Sequence, residues 1–485
     1  MSEDGRVLAG AVREHAVDRP RPGYVEMDGE LWWREFVEIC RQLIAQAPVE
    51  IAAVGVSGMG PCVLLADERD RPLRPAILYG IDTRAERQIE TLDGLLTDTA
   101  IRARGGSGLS SQSVGPKLRW IAENEPELFA TARRLFMPSS WLVRRLTGAY
   151  VLDHHSASQC TPMYDLHANC WYEPWASELA AEIELPSLAW SGEVVGTVTS
   201  EASAETGLPV GASVIAGTVD AWAEAVSVGA DGIDDLMLMY GSTMFLILTT
   251  AEALSAPPLW TTVGVAAGTT NLAGGMASSG SITAWLNELF GNVGYPQLIA
   301  EAARSAAGAR GLLLLPYFDG ERTPFADPRA RGVLAGLTIA HDRGDIYRAA
   351  LEATAFGVRH NIEAMEAAGG RVLRVVAVGG GTQGSLWPQI VSDATGREQQ
   401  VATYTVGASY GSASLAARAL GWSDVEAWNP VATIVEPQPH GASLYDELFT
   451  LYQELYPATQ DIVHALAARE LESVSPPTIG ATKGP

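Results

Sequence analysis

Between Val214 and Ala230 the chain reads Val-Ile-Ala-Gly-Thr-Val-Asp-Ala-Trp-Ala-Glu-Ala-Val-Ser-Val-Gly-Ala. An apolar strand stops at Gly217, a turn carries Asp220, and an alanine-rich helix comes next. A strand that hands over to a helix within a few residues commits the surrounding chain to α/β layering. A carboxylate at such a corner is held by rigid elements on both sides and opens into the crevice where α/β sheets take their ligands. That position suits a general base. Asp is equally a favoured helix N-cap, and this stretch alone does not decide between the two.

The rest of the chain has the same grammar. Gly29 to Ile44 has Leu31, Phe36, Ile39, Cys40 and Leu43 at helical spacing, and Ile51 to Ser57 is a buried strand running into Gly58-Met59-Gly60-Pro61. Arg6 to Val12 reads as a strand with no partner before it, because Glu3-Asp4-Gly5 is itself a hairpin-turn signal. Asp82 and Arg84 come after an apolar strand; two apart on an extended segment, they point the same way and would line one pocket or form a surface ion pair. Pro116 to Arg134 is helical, Gly105 to Gly115 is a Gly/Ser-rich loop, and Asp153 to Asp165 is a polar loop.

Asp231-Gly232 opens a new unit, which places the main boundary near 225–232. Leu236 to Thr250 is a hairpin around Gly241-Ser242-Thr243, whose small residues would let backbone N–H groups approach an anion, although an ordinary turn reads the same way. Val375 to Val378 opens onto Gly379-Gly380-Gly381-Thr382-Gln383-Gly384-Ser385 and a helix. Those glycines satisfy a dinucleotide pattern, but Thr403-Tyr404-Thr405 supplies no acid for a ribose hydroxyl. A glycine-rich turn before a helix still favours anions through its free N–H groups and dipole.

Composition excludes several classes. A formal charge of −24 argues against nucleic-acid and anionic-membrane partners, which need clustered Lys and Arg. Only Lys117 and Lys483 are lysines, and neither comes after a Gly-rich turn, so there is no Walker-type loop. Any phosphate chemistry must therefore use backbone amides and a metal. Cys40, Cys62, Cys160 and Cys170 lack Cys-x-x-Cys pairing, and adjacent His154 and His155 do not fit a zinc site. The charged start lacks a signal peptide's apolar core, and Leu236 to Thr250 is too short to span a bilayer, which points to a cytoplasmic protein.

Several motifs occur in one order across roughly residues 3–460. They are Pro22-Gly23-Tyr24-Val25-Glu26 with Trp32-Trp33, Val54-Gly55-Val56-Ser57-Gly58, Asp82-x-Arg84 and Gly217-x-x-Asp220-Ala221. Tyr240-Gly241-Ser242-Thr243, Gly320-Glu321-Arg322-Thr323-Pro324, and Gly379-Gly380-Gly381 with Ser385, Trp387 and Gln389 complete the set. Together they resemble the FGGY carbohydrate kinases.

The resemblance implies an α/β fold of two ribonuclease-H-like domains of the actin-like ATPase type flanking a catalytic cleft. Residues 1–228 would form the sugar-binding domain, 229–430 the nucleotide-binding domain, 431–472 C-terminal helices and 473–485 a disordered tail. It implies Asp220 as the base, with Met59, Gly60 and Asp82 as sugar contacts. Gly241, Ser242, Thr243, Gly280, Gly380, Gly381 and Ser385 would bind ATP, with Mg²⁺ as its companion and metal ligands left unassigned. The activity implied is xylulokinase-like transfer to a terminal hydroxyl of a ketopentose such as D-xylulose, or a related sugar or polyol. A homodimer is compatible with it.

Two departures from the family pattern stand out. The family opens with a strand and an Asp-x-Gly-Thr hairpin, and this sequence starts just after that point: either its start is assigned too far downstream, or the chain lacks its first phosphate loop, and then an unpaired sheet edge and severely reduced or absent kinase activity, as in a sugar-binding or regulatory pseudokinase, are expected. Xylulose kinases commonly carry Gln-Met-His-Gly where this chain has Met59-Gly60-Pro61-Cys62, and a Trp where it has Tyr79-Gly80-Ile81. The identity of the sugar is thereby left open.

Overall fold

The fold is taken from a computed structural model that describes residues 1–422 and 425–474. Helix α1, Gly29–Gln46, opens the N-terminal half, its N-cap Asp28 accepting from the Glu30 N–H. Strand β1, Ala53–Val54, and strand β2, Ser57–Gly58, are two pieces of the expected buried strand. Strand β3, Val194–Thr197, runs antiparallel to β4, Ser213–Ile215, which lies parallel to β1; one residue beyond Gly217, β5, Thr218–Val219, lies parallel to β2. Among the described residues β1 and β2 pair on one side only.

Helix α2, Asp220–Ser227, leads into the second half. Strands β6, Asp235–Tyr240, and β7, Met244–Thr250, form the hairpin; β8, Trp260–Val263, and β9, Thr270–Met276, extend it antiparallel. Helix α3, Gly280–Leu289, and the long helix α4, Arg343–Ala367, precede β10, Arg374–Val378, which lies parallel to β6. Helix α5, Leu386–Thr395, strand β11, Gln399–Ala402, helix α6, Ala408–Ala419, strand β12, Val431–Val435, and helix α7, Ala442–Val474, complete the chain. The sheet order is β8-β9-β7-β6-β10-β11-β12. Its five middle strands have the antiparallel hairpin-plus-parallel pattern of the ribonuclease-H fold.

The halves share a core. Ile215, Val219, Trp222 and Val226 pack with Met237, Ile247 and Val376 of the C-terminal sheet and with Leu415 of α6. Burying each large apolar side chain contributes about 1.5–3 kcal/mol, so α2 is fixed from both sides. Polar contacts add a second seam beside it: Ser107 Oγ donates to Thr261 O at 3.0 Å and accepts from Thr261 N at 2.9 Å.

Several expectations are corrected here. Residues 6–16 form no strand: no other strand lies beside them, and Val7, Leu8 and Val12 are exposed, leaving no face to bury. Their start is held instead by the C-terminal half, Trp428 Nε1 donating to Glu3 O and Tyr410 OH to Gly5 O. The helix expected from 116 to 134 breaks at Pro126 and ends in a strand, Arg134–Phe136. The loop from Asp153 begins as the end of a strand, Val151–Asp153, and continues as the buried helix His154–Ser158. Residues 431–435 belong to the C-terminal sheet as an edge strand, and α7 packs Tyr445, Phe449 and Tyr452 into its core, so 431–472 is no separate segment. The expected tail lies outside the described residues from 475 onward, while 473 and 474 finish α7.

Candidate active site

Asp220 stands at the first position of α2, with Val219 as the cap residue. The N-cap alternative therefore falls by one residue. Gly217 makes the corner: its φ is +75°, and a Cβ there would sit 2.3 Å from Val56 O. The Asp220 Oδ1 accepts from the Ala221 N–H at 2.7 Å, and the carboxylate faces a cavity of about 270 Å³ between the halves. The group is open to that cavity yet walled by protein on most sides, and this partial desolvation raises its pKa above the ordinary aspartate value against the backbone bonds that lower it.

The cavity is assembled from distant segments. Gly60 and Tyr79 border it, the Gly/Ser-rich loop gives Ser107, Ser110, Gln112 and Ser113, and the helix after Asp153 gives Ser158 and Gln159. From the C-terminal half come Thr243, Phe245, Trp260, Thr262 and Arg322. Arg322 Nη2 donates to Met276 O at 2.8 Å, and burial lowers its pKa. Its neighbour Glu321 accepts from the Ala277 N–H at 2.9 Å, and burial pushes its carboxyl up to about 7.

The hairpin tip 241–243 forms the next part of the wall. Gly280 N donates to Gly241 O at 3.0 Å, and Ser279 N and Ser281 N each donate to Ser242 O at 3.0 Å. The start of α3 thus clamps the tip through its carbonyls and leaves the exposed Ser242 and Thr243 N–H groups without protein partners among the described residues. The buried hydroxyls of Ser279 and Ser281 also lack partners there. Unpaired donors gathered at a helix N-terminus fit an anion such as a nucleotide phosphate.

The glycine turn after β10 touches this hairpin from behind. Gly379 has φ +94°, and a Cβ there would lie 2.4 Å from Tyr240 O; a Cβ on Gly381 would lie 2.8 Å from the Tyr240 side chain. From this turn Thr382, Gln383, Gly384 and Ser385 line a second, broader groove of about 640 Å³ against residues 433–439. Ser385 is the exposed cap residue of α5. The Asp220 cavity thus reaches Thr243 at the hairpin tip, and the Gly379 turn leads from the back of that hairpin to the second groove at Ser385.

Two expected sugar contacts lie elsewhere. Asp82 is 1% exposed: residues 79–82 turn rather than run extended, Asp82 N donating to Tyr79 O, and its carboxylate accepts from Val25 N at 2.6 Å and Arg84 Nη2 at 2.7 Å. Arg84 donates in turn to Glu26 at 2.7 Å, so the pair knits the N-terminal half together. Met59 packs into the core near Cys62 and Trp32, and only Gly60 of that loop reaches the cavity. Sequence reasoning missed Gln112, Gln159, Trp260 and Arg322 as cavity residues; the polar run Ser107 to Gln112 and the Gly320-Glu321-Arg322-Thr323-Pro324 motif were the available signals.

Comparisons with known proteins give the family and the fold. The profile of the N-terminal domain of the FGGY family of carbohydrate kinases matches residues 1–227, and that of the C-terminal domain matches residues 236–420. Xylulose kinase of Escherichia coli (strain K12) is 29% identical over 445 residues, 90% of this chain and 89% of the relative. Glycerol kinase of Nocardia farcinica (strain IFM 10152) is 34% identical over 384 residues, 75% of this chain and 74% of the relative. The crystal structure of xylulose kinase from Rhodospirillum rubrum superposes with a TM-score of 0.87 at 32% identity, covering 93% of this chain and 94% of that one.

Proposed function

The chain belongs to the FGGY family of carbohydrate kinases, and from that premise we propose that it transfers the γ-phosphate of ATP to a terminal hydroxyl of a ketopentose such as D-xylulose, or of a related polyol. The observation that carries the reading is the Asp220 cavity with Thr243 of the hairpin tip in its wall, which brings a desolvated carboxylate and an unpaired backbone N–H to one cavity.

The Asp220 carboxylate takes the proton of the acceptor hydroxyl as that oxygen attacks, a contribution of about 10²–10⁴ in rate. The Ser242 and Thr243 N–H groups and the start of α3 bind the phosphate oxygens and hold them in line with the acceptor. Trp222, Phe245 and Trp260 wall the cavity and exclude water, the competing acceptor. Among the described residues no group of three or more His, Cys, Asp and Glu stands close enough to hold a metal ion. That fits an Mg²⁺ brought in on the nucleotide's phosphates, since this ion keeps most of its waters and takes only one or two carboxylates. When bound, it neutralises charge on the transferring phosphoryl group.

ADP release with Mg·ATP and a panel of ketopentoses, hexuloses, polyols and glycerol tests the proposal. Turnover is expected with a five-carbon acceptor in preference to glycerol. Release with none of them, or with glycerol alone, would sink it.

A further inference from the structure

Gln159 lines the Asp220 cavity, yet the side chain it touches is not in that cavity's wall. Its amide nitrogen lies 2.7 Å from Nε2 of His155, one helical turn back. His155 is fully buried, and its Nδ1 lies 2.7 Å from Val263 O on β8 of the other half. A carbonyl oxygen only accepts, so Nδ1 carries the proton. Burial lowers the imidazole pKa to about 4, which keeps the ring neutral near pH 7 and leaves Nε2 with a bare lone pair. Only the amide N–H of Gln159 can satisfy that lone pair. The amide is thereby turned one way, and its carbonyl Oε1 has no partner among the described residues.

The ring itself cannot swing. It lies 4.0 Å from the ring of Trp222, two residues beyond Asp220, and Trp222 Nε1 donates to Asn271 at 3.0 Å. A second polar atom of the same wall, Thr262 Oγ1 on β8, is buried without a partner among the described residues. A residue with a free acceptor, Gln159, thus lines a cavity whose other walls include Tyr79, Trp222, Phe245 and Trp260.

We propose that Gln159 is a specificity-determining residue that accepts a hydroxyl of the acceptor sugar on Oε1, and that His155 is the positioning residue that fixes its orientation from the opposite half of the molecule. This rests on the kinase reading only in taking the ligand to be a sugar or polyol. An acceptor fixed this way favours ligands with hydroxyls beyond the one that reacts, because a bound ligand with a bare carbon there would cover the oxygen without pairing it. The same chain ties recognition to contact between the halves: without Val263 O, nothing selects the tautomer that turns Gln159.

The test uses the intact chain without ATP, following tryptophan fluorescence during titration with D-xylulose, D-ribulose, xylitol and glycerol. Gln159→Met keeps the length of the side chain and removes its acceptor, so Kd for the tightest of these ligands is expected to rise about 10- to 100-fold. In turnover the same variant raises the acceptor KM by that factor with kcat held within about threefold, the mark of lost ground-state binding. His155→Phe keeps the ring on Trp222 and should weaken binding in the wild-type background but hardly further in Gln159→Met. Additive losses, or a Gln159→Met Kd within about twofold of wild type at unchanged melting temperature, would overturn the proposal. If either variant fails to fold, long-range nitrogen–proton NMR of the wild-type chain decides: a neutral Nδ1–H tautomer at His155 is expected, and an Nε2–H tautomer refutes it. Sugar binding without ADP release would sink the kinase reading and leave this inference standing, whereas no binding of any of the four ends both.

Discussion

Two corners of this molecule use the same backbone device for opposite charges. In the N-terminal half a parallel strand meets Gly217, with φ +75° and Val56 O where a Cβ would go; in the C-terminal half a parallel strand meets Gly379, with φ +94° and Tyr240 O in the same role. Each glycine lets the chain turn hard against its neighbour strand. The residues beyond the two glycines differ: Asp220 stands after the first, and Gly380-Gly381-Thr382-Gln383-Gly384-Ser385, with no charge at all, after the second. Under the proposed function the first corner would supply the base, and the second would offer its backbone to the nucleotide. The frame is a property of the backbone, and the proposed division of labour between proton transfer and anion binding would be written in a few side chains.

The largest test of that division is Asp220→Asn. It keeps shape and the bond from the Ala221 N–H but removes the base, so kcat should fall by about 10²–10⁴ while the KM for ATP stays within about threefold. A kcat near wild type would mean that the first corner is only another helix start. The second corner is broken by comparing Gly379→Ala with Gly380→Ala. The first forces a Cβ onto Tyr240 O at an unfavourable φ and should destabilise the fold by about 1–3 kcal/mol. The second meets nothing within 4 Å, so its melting temperature should hold while the KM for ATP rises about 3- to 10-fold, if the phosphates approach that backbone closely. Equal effects on stability, or no effect of Gly380→Ala on ATP, would remove the anion-binding role.

Legibility in the sequence tracks how local each feature is. Asp220, Gly241 to Thr243 and Gly379 to Ser385 stand at strand-to-helix or hairpin corners whose punctuation is contained in ten or so residues; Asp220 and Thr243 line one cavity, and Thr382 to Ser385 line a second groove. Asp82 reads as a ligand because the groups that bury its pair with Arg84, Val25 N for Asp82 and Glu26 for Arg84, come from more than fifty residues away. Gln159 carries no signal, since its role depends on His155 and, through it, on a carbonyl at Val263. The strand Val431–Val435 is hidden among helical segments because a short edge strand, largely exposed, shows little periodicity.

The smallest expected effect separates the corners by pH. Burial raises the Asp220 pKa, and the groups that face it do not relieve this: Glu224, one turn along α2, is itself raised by burial and by Asp220's charge, and Tyr79 is raised by burial and the same charge. For activity, kcat/KM should fall as pH drops through a value above the ordinary aspartate range, while the uncharged second corner adds no titration of its own. For stability the sign is opposite. A carboxyl whose pKa is raised by folding contributes fully below its unfolded pKa and loses that contribution as pH rises through its folded pKa. Asp220→Asn should therefore melt slightly above wild type at pH 8 and match it near pH 4. A base that costs stability at the pH where it works is what a desolvated catalytic carboxylate predicts, and a variant less stable than wild type at pH 8 would make Asp220 a structural group instead.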